Sequence, residues 1–150
     1  MFKHELGNDA GSVATSVRGV TLHRLPQFQD LRGHLTFGEA GKQIPFEIKR
    51  YFLVYDVPGR HVRGEHAHRT LHQLLLCVRG SCRVTADDGV ASEEFLLDHP
   101  SIGLHIPPMI WSAQHQYSDD AMLLVLSSDY YDSADYIRDY AEFRKLAGLI

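Results

Sequence analysis

Gln73-Leu74-Leu75-Leu76-Cys77-Val78-Arg79-Gly80-Ser81-Cys82-Arg83-Val84-Thr85-Ala86-Asp87-Asp88-Gly89 reads as two extended segments and two turns. Residues 73–78 are nearly all apolar over six positions, the signature of a strand buried on both faces. Arg79-Gly80 breaks that run, and residues 81–86 form the next strand. Asp87-Asp88-Gly89 is a strong hairpin turn, because glycine adopts positive φ without steric cost. Working outward, residues 20–25 alternate, Asp30-Leu31-Arg32-Gly33 is a turn, and residues 34–37 follow it as a strand. Residues 41–45 form a loop, and residues 47–57, rich in aromatic and β-branched side chains, predict one long strand ended by Pro58-Gly59. Short strands are also predicted at 64–68, 93–97, 102–106, 110–115 and 121–127. Only the tail reads as helix, capped by Asp132 or Ser133, with Tyr136, Ile137, Tyr140, Phe143 and Leu146 at three-to-four spacing. About ten strands and one C-terminal helix describe an all-β sandwich or barrel rather than a parallel sheet.

The chain has 150 residues, 44% of them hydrophobic and 23% charged, which predicts one globular domain over residues 17–150 with a core of its own. Residues 1–16 read as a polar, mobile lead-in without the apolar stretch of a secretory signal. The net charge of −4 and the lack of any basic run argue against nucleic acid as the main ligand. A local phosphate pocket stays open, since most of the basic residues are arginines suited to bidentate contacts. No apolar run approaches a membrane span. Cys77 and Cys82 fall in apolar strand patterns, so buried free thiols and a reducing cytoplasm are expected.

Residues two apart on a strand share a face. His66 and His68 therefore project together, with Gly64 leaving space beside them. On the concave side of a barrel, such a pair either binds a metal or handles protons. On a surface strand it is simply solvated, and spacing alone does not decide.

Gly64-x-His66-x-His68, then Gln73, then Gly80 resembles the first cupin motif. Ile106-Pro107-Pro108-Met109-Ile110-Trp111-Ser112 resembles the second. The implied fold is the double-stranded β-helix, or jelly-roll barrel, with a short C-terminal helix. In this alignment Gln73 stands where metal-binding cupins have Glu, and Ser112 where they have their last His. Two imidazoles, an amide and a hydroxyl are a poor ligand set for a divalent ion. No metal and no cofactor is expected, which frees both imidazoles for proton transfer. Read more widely, Lys49-Arg50-Tyr51-Phe52, Arg63-Gly64-Glu65-His66-Ala67-His68, Gly103-Leu104-His105-Ile106-Pro107-Pro108-Met109-Ile110-Trp111 and the stretch from Ser128-Asp129-Tyr130-Tyr131 to Asp139-Tyr140 resemble the sugar 3,4-ketoisomerases of the WxcM-like cupin family. The resemblance runs over residues 18–143.

This resemblance implies an isomerase acting on dTDP-4-keto-6-deoxyglucose. A base removes the C3 proton, an enediolate forms, and a proton returns to C4, leaving the ketone at C3. Imidazole suits both steps near neutral pH. The family roles place His66 and His68 at the reacting sugar as the catalytic pair, with His68 the favoured base. His66, Gln73 and Ser112 become candidate donors to the developing oxyanion. Arg32 and Arg50 are candidates for gripping the diphosphate, against a reading as plain surface arginines. Tyr55 and Trp111 are candidates for walling the sugar or stacking on thymine, against a reading as core aromatics. Arg60, Arg63 and Arg69 also lie near the motif strand without a ranking among them. His72, His105 and Cys82 read as structural. Members of the family carry a large basic side chain at the Ser112 position, so the galacto or gluco configuration at C4 is left open. The resemblance further implies deoxysugar biosynthesis for surface glycans such as O-antigen or S-layer chains, and a cytoplasmic homodimer that shares its N-terminal strand. A keto-sugar epimerase, a non-catalytic sugar-nucleotide-binding cupin and a metal-dependent oxygenase are the competing readings.

Overall fold

In the computed structural model, residues 10–149 are described. Two antiparallel sheets face each other. One has six strands in the order β1 (Gly11–Ala14), β2 (Thr21–Arg24), β10 (Ile102–Ile106), β7 (Gln73–Arg79), β12 (Met122–Ser127) and β5 (Arg50–Tyr55). The other has five, in the order β13 (Tyr136–Ile137), β6 (Arg63–His68), β11 (Trp111–His115), β8 (Cys82–Asp87) and β9 (Ser92–Leu97). A separate hairpin pairs β3 (Gln27–Asp30) with β4 (Gly33–Thr36). This is the expected jelly-roll arrangement, with thirteen strands among the described residues rather than about ten.

The strand pattern sets the layers. Leu75 and Cys77 of β7, Val84 and Ala86 of β8, Phe95 and Leu97 of β9, and Leu123 and Val125 of β12 alternate inward and form the main core. The intervening Leu74 and Leu76 point outward, where Leu25, Ile44, Phe46 and Ile48 cover them. That explains the all-apolar run at 73–78: both faces of β7 are buried. Cys77 and Cys82 are buried free thiols, as expected.

Three segments differ from the sequence reading. The long strand expected over 47–57 is only Arg50–Tyr55. Phe46 and Ile48 cap the outer cluster on β7 instead of extending β5, and Asp56, at φ 54°, ends the strand. Within the lead-in expected at 1–16, Gly11–Ala14 is a strand laid antiparallel on β2; residues 1–9 lie outside the described residues. The single helix expected from Asp132 onward is broken in two. Asp132 caps one turn of 3₁₀-helix at Ser133–Asp135. Tyr136 and Ile137 then join the ladder beside β6. Asp139 caps a fresh start as α1 (Tyr140–Leu146), accepting from the Glu142 N–H. The three-to-four spacing was real, but Ala67 and His68 offer Tyr136 and Ile137 an open strand edge, and ladder pairing there wins over helix propagation.

The tail then seals the outer face of the five-stranded sheet. Phe143, fully buried, packs with Ala67 and Ile137, and Met109 and Trp111 close around them. Truncating Phe143 removes the keystone of that layer. Phe143→Ala is expected to cost about 3–5 kcal/mol, read as a lowered denaturation midpoint, with faster amide exchange in β6 and β13 before the rest of the sheet.

Candidate active site

A cavity of about 240 Å³ opens between the two sheets. Arg50, Phe52 and Val54 of β5, Gln73 and Leu75 of β7, and Val125 of β12 form one wall. Arg63, Gly64 and His66 of β6 and Gln114 of β11 form the other, with Tyr131 and Tyr136 of the tail completing the lining.

A β-bulge shapes the second wall. Ser112 pairs with His66, but the next residue, Ala113, pairs with Gly64, so Glu65 is the extra residue. Gly64 and Glu65 both have positive φ, 86° and 57°. At Gly64 a side chain would also be crowded: a Cβ there would lie 3.0 Å from Gln114 Oε1 and 3.1 Å from the Ser112 carbonyl. Glycine is needed on both counts. Beyond the bulge, alternation resumes, and His66 and His68 share the inner face with their rings perpendicular and centroids 4.9 Å apart.

The two imidazoles differ in their surroundings. His66 lines the cavity. His68 is 6% exposed and sits behind it. His68 Nδ1 lies 3.0 Å from Asp135 Oδ2. The other oxygen of Asp135 accepts from the Thr70 N–H and hydroxyl at 2.8 and 2.9 Å. Burial alone would raise the Asp135 pKa, yet these donors, with His68, hold it below the ordinary carboxylate range. Asp135 is therefore ionised and only accepts, so His68 carries its proton on Nδ1 and leaves Nε2 bare. His68 Nε2 and His66 Nδ1 are both buried with no hydrogen-bond partner among the described residues.

Burial, then the neighbouring His66, push the His68 pKa down to about 4 against the pull of Asp135, and Arg50 adds to the downward push. Burial also lowers His66; the Gly64 backbone opposes this and Arg138 reinforces it. Both rings thus favour the neutral form at neutral pH.

Of the residues singled out from sequence, His66, Arg50 and Gln73 meet at the cavity, and His68 backs it. Arg50 spans Phe52 and Tyr131, its guanidinium 5.5 and 5.8 Å from their ring centres. Ser112 is buried directly opposite His66 in the ladder. Tyr55 and Trp111 are not brought there. Tyr55 stands on the exposed outer face of β5, five residues from Arg50 and so on the opposite side. Trp111 points outward against Tyr140 and Phe143, with centroids 5.3 and 5.9 Å away. Arg32 sits at the tip of the β3–β4 hairpin, ion-paired to Asp30 at 2.7 Å and exposed. The sequence reading missed Asp135, Tyr136, Tyr131 and Gln114. Gln114 was accessible by alternation from Ser112; Asp135 and Tyr136 were hidden by the helix assignment, and Tyr131 lies just before it. Among the described residues, no cluster of three or more His, Cys, Asp or Glu is arranged to hold a metal ion.

The FdtA family model (WxcM-like, C-terminal) matches residues 18–148. The chain belongs to this family. It is 48% identical over 116 residues to TDP-4-oxo-6-deoxy-alpha-D-glucose-3,4-oxoisomerase of Aneurinibacillus thermoaerophilus, covering 77% of this chain and 84% of the relative. A mutant of the 3,4-ketoisomerase QdtA from Thermoanaerobacterium thermosaccharolyticum, in complex with TDP-4-keto-6-deoxyglucose, superposes with a TM-score of 0.85 at 36% identity, over 87% of this chain and 95% of the other. The WlaRB TDP-quinovose 3,4-ketoisomerase from Campylobacter jejuni gives 0.83 at 40% identity, over 86% and 99%.

A second histidine group lies outside the site. His72 Nδ1 and His105 Nε2 are 3.0 Å apart. Burial, then His72 and His23, push the His105 pKa down to about 4. For His68 and His105 the unfolded chain therefore binds protons more readily than the folded one. Their contribution to stability is complete above about pH 6.5 and is lost as pH falls toward 4. The melting temperature is expected to drop steadily from pH 7 to pH 4.5, with each group contributing a slope of at most about 1.4 kcal/mol per pH unit. A profile flat across that window contradicts the assignment.

Proposed function

We propose that this sugar 3,4-ketoisomerase acts on dTDP-4-keto-6-deoxyglucose, with His66 as the group that meets the reacting carbons. The observation that carries this reading is the perpendicular His66–His68 pair, one ring on the cavity wall and the other fixed behind it by Asp135. Neutral His66 takes the proton from C3, and the C4 carbonyl collects the electrons as an enediolate. Gln73, 7% exposed and on the opposite wall, offers its amide N–H groups to that oxygen. Protonation of C4 by the imidazolium and passage of the C3 hydroxyl proton to the C4 oxygen leave a ketone at C3 and a hydroxyl at C4, with no net redox change. His68, though favoured as base from sequence, is the better partner than primary base, since it lies behind His66. Arg50 and Arg63 flank the cavity and suit the diphosphate.

The hairpin β3–β4 exposes Phe28, Leu31 and Leu35, and the edge strand β5 exposes Tyr51, Leu53 and Tyr55. Surface of this kind fits a second copy of the chain. In such a homodimer Arg32, at the hairpin tip, would reach a ligand from the partner's side. Two buried free thiols suit a reducing cytoplasm, and no described helix is long and apolar enough to cross a membrane. Light scattering is expected to give twice the 17.0 kDa chain mass; a monomer at micromolar concentration contradicts the dimer.

Incubating the protein with dTDP-4-keto-6-deoxyglucose in deuterated water tests the chemistry. NMR is expected to show the ketone at C3 and deuterium at C4. His66→Asn should slow turnover by about 10²–10⁴-fold while dTDP still binds. An unmoved ketone beside an inverted centre assigns an epimerase instead, and dTDP binding without any exchange assigns a binding module.

A further inference from the structure

Tyr136 is used by nothing in the mechanism above, yet it touches both imidazoles. Its ring centre lies 4.7 Å from that of His66 and 4.4 Å from that of His68. The register explains this. Tyr136 pairs directly with His68 across the β13–β6 ladder, so the two side chains stand on the same face. β13 is only two residues long and forms the end of its sheet, so backbone pairing holds this ring weakly. Arg138 supplies a second hold, its guanidinium stacked 4.3 Å from the Tyr136 ring centre.

We propose that Tyr136, backed by Arg138, is a positioning residue of the isomerisation: its ring wedges against both imidazoles, fixes their perpendicular packing and walls the cavity beside His66. The proposal rests on the histidine chemistry above. Aromatic edges and faces pack with defined preference, and His66 has no carboxylate to fix it as Asp135 fixes His68. The Gly64 backbone favours its proton, and the contact with the Tyr136 ring adds the packing that sets its plane.

Arg138 adds an electrostatic consequence. The charged or titratable groups facing the pair are Arg50 from β5, Arg63 and the two histidines themselves from β6, Asp135 from the 3₁₀ turn, and Tyr131, Tyr136 and Arg138 from the tail. β7 and β11 present Gln73 and Gln114, which do not titrate. The single carboxylate is committed to His68. Arg138 reinforces burial in disfavouring a proton on His66, which suits a base.

The test compares Tyr136→Leu, Tyr136→Phe, Arg138→Met and His66→Asn with the wild type on dTDP-4-keto-6-deoxyglucose. dTDP affinity is measured by calorimetry and folding by thermal melts. Tyr136→Leu is expected to lower kcat by about 10–10²-fold, the cost of a misplaced reacting group, while dTDP affinity holds. Tyr136→Phe, which keeps the ring, should rescue most of that loss. Arg138 is exposed, so Arg138→Met is a fold-neutral probe. It should move the acid limb of kcat/KM to higher pH, because removing the cation makes His66 easier to protonate. Wild-type kcat in Tyr136→Leu overturns the proposal. So does Tyr136→Phe as slow as Tyr136→Leu, which assigns the hydroxyl a direct proton-transfer role, and so does an unmoved acid limb in Arg138→Met. Wild-type turnover by His66→Asn overturns the underlying histidine reading by a separate result.

Discussion

The bond from His68 Nδ1 to Asp135 determines what the rest of the site is able to do. A carboxylate held ionised by Thr70 accepts a hydrogen bond from the imidazole Nδ1–H, and that contact fixes the tautomer and leaves Nε2 bare. Without it His68 would be a buried base held by ring packing alone, with neither tautomer favoured. Burial makes the arrangement effective. In water the same pair would exchange protons with solvent near pH 6.5. Inside the barrel, burial leads the shift that keeps both rings neutral.

Burial in turn depends on close backbone approach at Gly64. The bulge at Glu65 bends β6 so that the ladder to β11 resumes one residue out of phase. Because Gly64 has no side chain, Gln114 can lie against its backbone. The same wall then carries the imidazole of His66 and, two residues along β11 from Ser112, the amide of Gln114. A regular strand through 63–68 would turn Arg63 to the opposite face from His66; the bulge sets Arg63 opposite Gln114, so that both Arg63 and His66 reach the cavity wall. The glycine, the bulge and the histidine therefore work as one device, and the cavity is shaped by backbone conformation as much as by side-chain volume.

Most of the fold was legible because period-two alternation is a direct image of a two-layer barrel. Leu75 and Cys77 inward, with Leu74 and Leu76 outward, follow from position parity alone. Parity also contained what the site reading missed. Arg50 and Tyr55 are five apart on one strand and cannot share a wall. Trp111 and Ser112 are adjacent and face opposite layers, which leaves Ser112 beside His66 and Trp111 under the helix. Motif resemblance named the right strands but not the faces. Arg32 stands apart from its own chain's cavity for another reason: a hairpin tip is placed by what it docks against, and one chain does not encode that in a local pattern.

The tail was illegible for a more instructive reason. Tyr136, Ile137, Tyr140 and Phe143 have genuine helical spacing, and as one helix they would cover the sheet well enough. What a helix could not do is deliver Asp135 and Tyr136 to His68 from adjacent positions while Ile137 covers Ala67, because neighbouring helical residues diverge by about 100°. An extended pair achieves this: Tyr136 faces inward to the imidazoles, Ile137 faces outward to Phe143, and the preceding 3₁₀ turn leaves Asp135 beside His68 Nδ1. The two aspartate caps, Asp132 before the turn and Asp139 before α1, are the local signals that allow the chain to stop, extend and restart. Local propensity thus yields where three consecutive residues must serve the imidazole pair and the outer core at once.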